Sequence, residues 1–323
     1  MDREKILADL HENGYAVIDD VIPVSDCDDY AGNFKKFANQ FDELDIPMMG
    51  FQSIIQSYRI GHFDETWKVR LKVKDVFTKI WGTEKLLTSF DGVALSPPPE
   101  TVSSLYRREK DSFLHLDQGS RRAGIHAYQG GVYLETSTVD DHCFRVLKGS
   151  HVYHSQFYST FSKAARITRD YEYYELQKDE IDWYTEKGCI LTNVPVKKGG
   201  MVLWDSRTVH DNARPIRDRE NKDRWRHVIF ICMTPALWAG KEDLETKRQA
   251  YNELLMTTHW PSQRVTPFIR YNHPVEGVLS EINVPHQMPE VATSIVAKQL
   301  SGVIPYDFED GDPIGPDHPE WKP

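Results

Sequence analysis

The chain has 323 residues, 40% of them hydrophobic and 27% charged, with 39 Lys and Arg against 49 Asp and Glu for a net charge of −10. That is the profile of an ordinary globular protein, and the acidic excess argues against nonspecific nucleic-acid binding, which depends on phosphate neutralisation. Cys27, Cys143, Cys189 and Cys232 are widely separated with no Cys-x-x-Cys, which excludes a zinc knuckle and a disulfide framework. No apolar stretch follows the charged first five residues, and no apolar run approaches the roughly 18 residues of a membrane span. The expectation is a cytoplasmic protein with reduced thiols. The sequence carries no signature of an oligomeric state.

Residues 3–13 put Ile6, Leu7 and Leu10 on one face of a short helix that Gly14 ends, and Tyr15-Ala16-Val17-Ile18 reads as a strand. Pro23 and Ser25 open a second helix to about Phe41, with Ser25 as its N-cap. Between Trp67 and Trp81, Val69, Val73, Val76, Phe77 and Ile80 recur at helical spacing. After the loop Ser96-Pro97-Pro98-Pro99 the chain changes to short β-forming runs: Ser112–Asp117, Gly131–Glu135, Cys143–Val146, Met201–Trp204 and His227–Met233. A charged, aromatic segment over about 156–186 reads as inserted helix, and 241–256 as another. Beyond about 258 the chain is Pro-rich, and its polarity after Tyr306 predicts a partly disordered tail. The expected fold is mainly β with flanking helices around a jelly-roll, cupin-like double-stranded β-helix. Residues 1–240 would form the barrel with its N-terminal helices, and 241–323 a helix and irregular extension packed on the same domain.

Chemistry is carried by His115-Leu116-Asp117 and, about 95 residues later, His210. On a strand, residues i and i+2 share a side, so His115 and Asp117 can converge on one ion. His210 must then arrive on a strand folded back across them. Two imidazoles and a carboxylate on one face of an octahedral metal are the ligand set of non-haem Fe(II) oxygenases.

Several further stretches make a family visible. Glu12-Asn13-Gly14-Tyr15-Ala16-Val17-Ile18, Phe113-Leu114-His115-Leu116-Asp117-Gln118, Gly149-Ser150-His151, and Lys198-Gly199-Gly200-Met201-Val202-Leu203-Trp204 leading to His210 occur in this order. Together they resemble the phytanoyl-CoA dioxygenase-like branch of the Fe(II)/2-oxoglutarate oxygenases, over roughly residues 5–235. One departure stands out: where the family usually carries an Asn-Gly turn before Gly-Ser-His, this chain has Asp140-Asp141-His142-Cys143-Phe144.

The resemblance implies His115, Asp117 and His210 as iron ligands and as the catalytic centre. It implies 2-oxoglutarate and O₂ as cosubstrates, ascorbate as an accessory reductant, and succinate and CO₂ as co-products. It also implies an Arg at the start of the strand after His210 for the distal carboxylate of 2-oxoglutarate, since a guanidinium fork meets both oxygens. Arg226 is favoured because it directly precedes the β-rich run, and Arg224 shares its strand parity. Tyr133 and Asn212 match positions where the family lines the cosubstrate site. The presence of Asp117 favours hydroxylation over halogenation.

The reading is therefore a hydroxylase of unactivated C–H bonds in a small molecule. The alternatives are a protein side chain or nucleobase as substrate, a non-catalytic metal- or ligand-binding barrel, and a zinc hydrolase. The last lacks a His-Glu-x-x-His helix and leaves the downstream Arg unexplained. Arg121 and Arg122, with Arg107 and Arg108, flank the metal strand and suggest recognition of an anionic substrate, against the blander reading of a solvated loop. His126, His142, His151 and His154 are read as loop residues, and Trp204, Trp183 and Tyr184 as core. Thr257-Thr258-His259-Trp260-Pro261 sits where a lid folds over the mouth.

Overall fold

A computed structural model describes residues 1–41, 53–101, 113–268 and 282–322. Arg107, Arg108 and Ser112 lie outside them. The first helix, α1 (Arg3–Asn13), is capped by the Asp2 carboxylate, which accepts from Lys5 N–H, and is closed by Gly14 at φ +83°. Strand β1 (Tyr15–Ile18) follows, then α2 (Val24–Ala38), β2 (Ile54–Ile55) and α3 (Asp64–Trp81). Helix α2 starts one residue before Ser25, with Pro23 at the cap position and no side-chain cap bond. Pro pre-sets its own φ and needs no donor there, so the expected Ser25 cap is corrected.

Next come β3 (Leu86–Thr88), β4 (Val93–Ser96), β5 (His115–Leu116), β6 (Arg122–Ala123), β7 (Tyr128–Tyr133) and β8 (Phe144–Lys148). The segment expected as one inserted helix is α4 (His154–Thr160) and α5 (Ser162–Ile167), then strand β9 (Tyr174–Glu175) and α6 (Lys178–Glu186). Strands β10 (Ile190–Val194), β11 (Met201–Asp205), β12 (His210–Asn212) and β13 (Arg226–Pro235) complete the barrel. Helices α7 (Lys241–Asn252) and α8 (Ile295–Leu300) and a final strand β14 (Glu320–Trp321) follow.

Two sheets form the jelly roll. The larger runs β1-β11-β7-β13-β4-β2, with β3 also on β13, and the smaller runs β10-β8-β12-β5-β9. Their inner faces share one apolar cluster, in which Ala94, Tyr133, Val202, Trp204 and Val228 of the large sheet meet Phe144, Val146 and Val194 of the small one. The large sheet's outer face is covered by helices: Ile229, Ile231 and Met233 of β13 pack with Leu10, Phe34, Val73 and Phe77. Burial on both faces explains why β13 is an unbroken apolar run, with no alternation in its sequence. Gly130 of β7 leaves room for its neighbours in the sheet, since a Cβ there would meet Met201 Cε of β11 at 2.1 Å.

Three of the family-like stretches meet at one point beside the barrel. Gly14 O accepts from Asp205 N–H (2.9 Å) and Thr208 Oγ1–H (2.9 Å), and Gly149 N–H donates to Asn13 O at 3.1 Å. His151 Nε2 lies 3.0 Å from His11 O. A Cβ on Gly14 would sit 2.7 Å from both His151 Nδ1 and Thr208 Oγ1. The helix end, the Gly-Ser-His turn and the approach to His210 are thus one packed unit.

The polar tail is not loose, which corrects the disorder expected after Tyr306. Strand β14 pairs with β6, Trp321 opposite Arg122. Asp310 pairs with Lys85 at 2.5 Å, and Trp238 Nε1–H donates to Pro316 O at 2.9 Å. Composition misjudged this segment because a few anchors, each far away in sequence, hold it.

Candidate metal centre and its cavity

Strand β12 lies between β8 and β5, and His210 stands directly opposite His115 in that pairing. Asp117 follows β5 by one residue and turns back toward them: its Oδ1 is 3.7 Å from His115 Nε2 and its Oδ2 3.4 Å from His210 Nε2. One donor atom from each of the three lies within 4.8 Å of the others. Cis ligands about 2.1 Å from one ion stand roughly 3 Å apart, so the triad needs only a small contraction to close on a metal.

Each imidazole is oriented by its own strand. His115 Nδ1 is 3.0 Å from Phe113 O and His210 Nδ1 2.9 Å from Thr208 O. A carbonyl only accepts, so Nδ1 carries the proton in both rings and the Nε2 lone pair faces the ion site. Gln129 Nε2 donates to Asp117 Oδ2 at 3.1 Å. Burial lowers His115 to about 4 and keeps it neutral, as a ligand must be. Burial alone would raise Asp117, but His115, His259 and His210 hold it well below the carboxylate range. Asp211, between two residues that line the cavity, points the other way into a bidentate pair with Arg145 at 2.7 and 2.6 Å. The donor set, its tautomers and its charge therefore fit a divalent ion.

The triad opens into a cavity of about 250 Å³ walled by Phe113, Phe144, Tyr173, Trp204, Phe230 and Phe268. Trp204, read from sequence as core, is both: it lies 4.8 Å from Phe144 and 5.2 Å from His210, centroid to centroid. Asn212 shares this lining. Arg226, Val228, Phe230 and Cys232 alternate along one side of β13, and Phe230 and Cys232 line the cavity. Arg226 itself is buried beside Tyr133, to which Val228 is paired, and both line a small recess that shares no lining residue with the main cavity. A buried guanidinium on the barrel's inner side is a fitting seat for the far carboxylate of a five-carbon diacid.

Arg224 lines the same recess but is already paired there. Its Nη1 pairs with Asp141 Oδ2 at 2.7 Å, while Arg219 pairs with Asp141 Oδ1 at 2.5 Å and with Glu100 at 2.8 Å. The acidic departure at Asp140-Asp141 thus fastens the β12–β13 connection. Arg121 and Arg122 are also corrected. Arg122 is fully buried between the rings of Trp260 (3.6 Å) and Trp321 (4.4 Å) and pairs with Glu172 at 2.9 Å, while Arg121 Nε donates to Lys322 O. Neither lines the cavity, and among the described residues no Lys or Arg does. The two tryptophans that recruit Arg122 lie 138 and 199 positions away, beyond any local pattern in the sequence.

Two of the loop histidines make structural contacts, His126 3.0 Å from Glu320 O and His154 2.9 Å from Gln118 O, while His142 lines the recess with Arg226. Trp183 and Tyr184 pack with Phe157. Sequence reasoning missed Gln129, Asp91 and Tyr173, none of which stands in a motif. It noticed Thr258 and His259 only as part of a lid, whereas both line the cavity.

Among curated proteins, the chain is 28% identical over 254 residues to Ava biosynthesis cluster protein O of Aspergillus versicolor, covering 73% of this chain and 78% of that one. Among solved structures, a putative oxidoreductase from Salmonella typhimurium LT2 superposes at TM-score 0.56 and 11% identity over 91% of this chain and 81% of its own, a likeness of fold. HygX from Streptomyces hygroscopicus, solved with nickel, 2-oxoglutarate and hygromycin B, gives TM-score 0.46 at 15% identity over 74% and 89%. The family model of phytanoyl-CoA dioxygenase matches residues 10–215, from the last turn of α1 through β12, and so takes in all three metal-ligand candidates and every stretch that meets at Gly14. The chain belongs to the phytanoyl-CoA dioxygenase family of iron- and 2-oxoglutarate-dependent oxygenases.

Proposed function

We propose that the protein hydroxylates an unactivated C–H bond of a small molecule, with His115, Asp117 and His210 holding Fe(II). The carrying observation is the convergent triad with an intact carboxylate at the head of an aromatic-walled cavity. Bound iron and 2-oxoglutarate supply O₂ activation coupled to decarboxylation to succinate and CO₂. The chain's residues do the positioning. Phe113 and Thr208 carbonyls fix the two imidazoles, and Gln129 fixes the Asp117 carboxylate.

Arg226, beside Tyr133, takes the distal carboxylate of 2-oxoglutarate, and Asn212 contributes a polar group at the His210 end. Arg224 is the weaker candidate because Asp141 already holds it. Phe144, Trp204 and Phe230 exclude water around the reacting carbon. A cavity of about 250 Å³ suits a small molecule better than a polymer segment. The absence of Lys and Arg from its described lining removes the support for an anionic one.

The test is an anaerobic titration of Fe(II) with 2-oxoglutarate, followed by turnover under ¹⁸O₂ with candidate substrates. A weak visible charge-transfer band is expected in the native protein and not in Asp117→Ala, and one labelled oxygen is expected in the product. No band in the native protein would sink the cofactor assignment. A transformed substrate without label would sink hydroxylation alone.

A further inference from the structure

One wall of the cavity is used by none of these roles. Residues 256–268 lie beyond the family match, which ends at 215. Their backbone is set as a hairpin: Thr258 N–H donates to Thr266 O at 3.0 Å, and Phe268 N–H to Met256 O at 2.9 Å. Thr257 pins this hairpin to the barrel, its N–H donating to Phe90 O at 2.9 Å and its Oγ1 accepting from Phe90 N–H at 3.0 Å. On the far side Trp260 is stacked on the Arg122 guanidinium. Between these anchors Thr258 and His259 line the cavity beside Asp91. Thr258 Oγ1 and His259 Nε2 are shielded from solvent and have no hydrogen-bond partner.

We propose that Thr258 and His259 are the substrate-recognition residues of this site and bind the carbonyl or hydroxyl oxygen of an uncharged, largely apolar ring compound. This rests on the oxygenase reading above, in which the cavity is the active site.

Buried polar atoms in folded proteins are nearly always paired. Two unpaired ones on one wall of the cavity that holds the metal triad mark a place where a ligand, once seated, can supply the partner. A hydroxyl and an imidazole nitrogen can each donate to such an oxygen. Much of the remaining wall is aromatic, Phe113, Phe144, Trp204 and Phe230, and offers flat apolar faces to a ring.

Charge argues for a neutral ligand. The described lining has two carboxyl groups, Asp91 and Asp117, and no Lys or Arg. Burial pushes Asp91 up to about 7, so in mildly alkaline solution it repels an anion. The Asp91 carboxyl accepts from Gly92 N–H at 2.7 Å and from the Gln56 side chain, and near pH 7 it is only partly charged, so its pull on an ammonium group is weak.

The experiment uses the full chain with Fe(II) and 2-oxoglutarate under nitrogen, titrated by calorimetry with matched amide, carboxylate and amine derivatives of indole, naphthalene and cyclohexane. At least one amide is expected to bind ten-fold or more tightly than its carboxylate and amine counterparts. Thr258→Val and His259→Phe, which keep volume and ring, are each expected to weaken that amide by about five- to ten-fold while the iron–2-oxoglutarate band remains. Asp91→Asn is expected to narrow the gap between amide and carboxylate, an effect that a purely structural role would not produce.

The proposal is overturned if no amide binds, if a carboxylate or amine binds best, or if both wall variants bind the amide like the native protein. Loss of the band in the native protein would instead strike the oxygenase reading. Melting curves of the variants report whether they fold.

Discussion

Arg224 and Arg226 are two residues apart and chemically identical, so strand parity alone cannot choose between them. Their surroundings can. Arg224 is held by Asp141, while Arg226 lies on the inner side of β13 beside Tyr133. A charge-assisted fork contributes about 1.5–3 kcal/mol, so Arg226→Ala is expected to raise the KM for 2-oxoglutarate by roughly 10- to 150-fold. Arg224→Ala should leave that KM within about three-fold and lower the melting temperature instead, because it strips a partner from buried Asp141. Succinate-release kinetics on both variants check the ranking, and the reverse order would exchange the assignments. At this scale the candidate metal ligands were legible, because i, i+2 spacing on a strand is local geometry. Arg122 was not: its partners Glu172, Trp260 and Trp321 are distant in sequence, so its fate is decided by tertiary packing.

Elements follow the same division between local and distant causes. Helix α1 was readable from apolar spacing and from the Gly14 that ends it, α3 from apolar spacing, and β13 from its continuous β-forming run. Strands β5 and β9 have two residues each and exist because β12 and each other pair with them, not because their own propensity is high. The junction at Gly14 is the most sensitive of the elements' contacts. It needs both a positive φ and the space a Cβ would take from His151 and Thr208, two residues before His210. Gly14→Ala is expected to cost about 2–4 kcal/mol, from strained backbone and overpacking together. The urea midpoint would fall and iron affinity would drop with it. A variant with native midpoint would show that the junction gives way easily.

Across the whole molecule, several histidines are buried in neutral form. Burial lowers His62 and His227 to about 3 and His154 to about 4, below the unfolded value near 6.5. A group whose folded pKa is depressed in this way must take up a proton on unfolding. Its contribution is therefore complete above about pH 6.5 and is lost as pH falls toward 4, at about 1.4 kcal/mol per unit for each. Denaturation of the metal-free protein is expected to steepen below pH 6, and His154→Gln should flatten that slope by about one proton. An unchanged slope would mean that His154 titrates normally. The same distant packing makes the tail part of the fold: β14 on β6 and Asp310 on Lys85 join the last residues to the barrel.

His115 and His210 face each other across one rung of the β5–β12 pairing yet stand 95 positions apart along the chain. An ion gripped by both, and by Asp117, acts as a removable crosslink that closes a long loop through the barrel. Its grip belongs to the folded state alone, since the unfolded chain rarely brings the three donors together. At a free-metal concentration about 100 times the Kd, that linkage contributes roughly 2.7 kcal/mol. A metal with no oxygen chemistry, such as Zn(II), should therefore raise the melting temperature by several degrees, and a chelator should reverse it without any turnover. Asp117→Ala should abolish the rise while melting close to the metal-free native protein. Calorimetry would then report the integrity of the metal centre before any substrate is known.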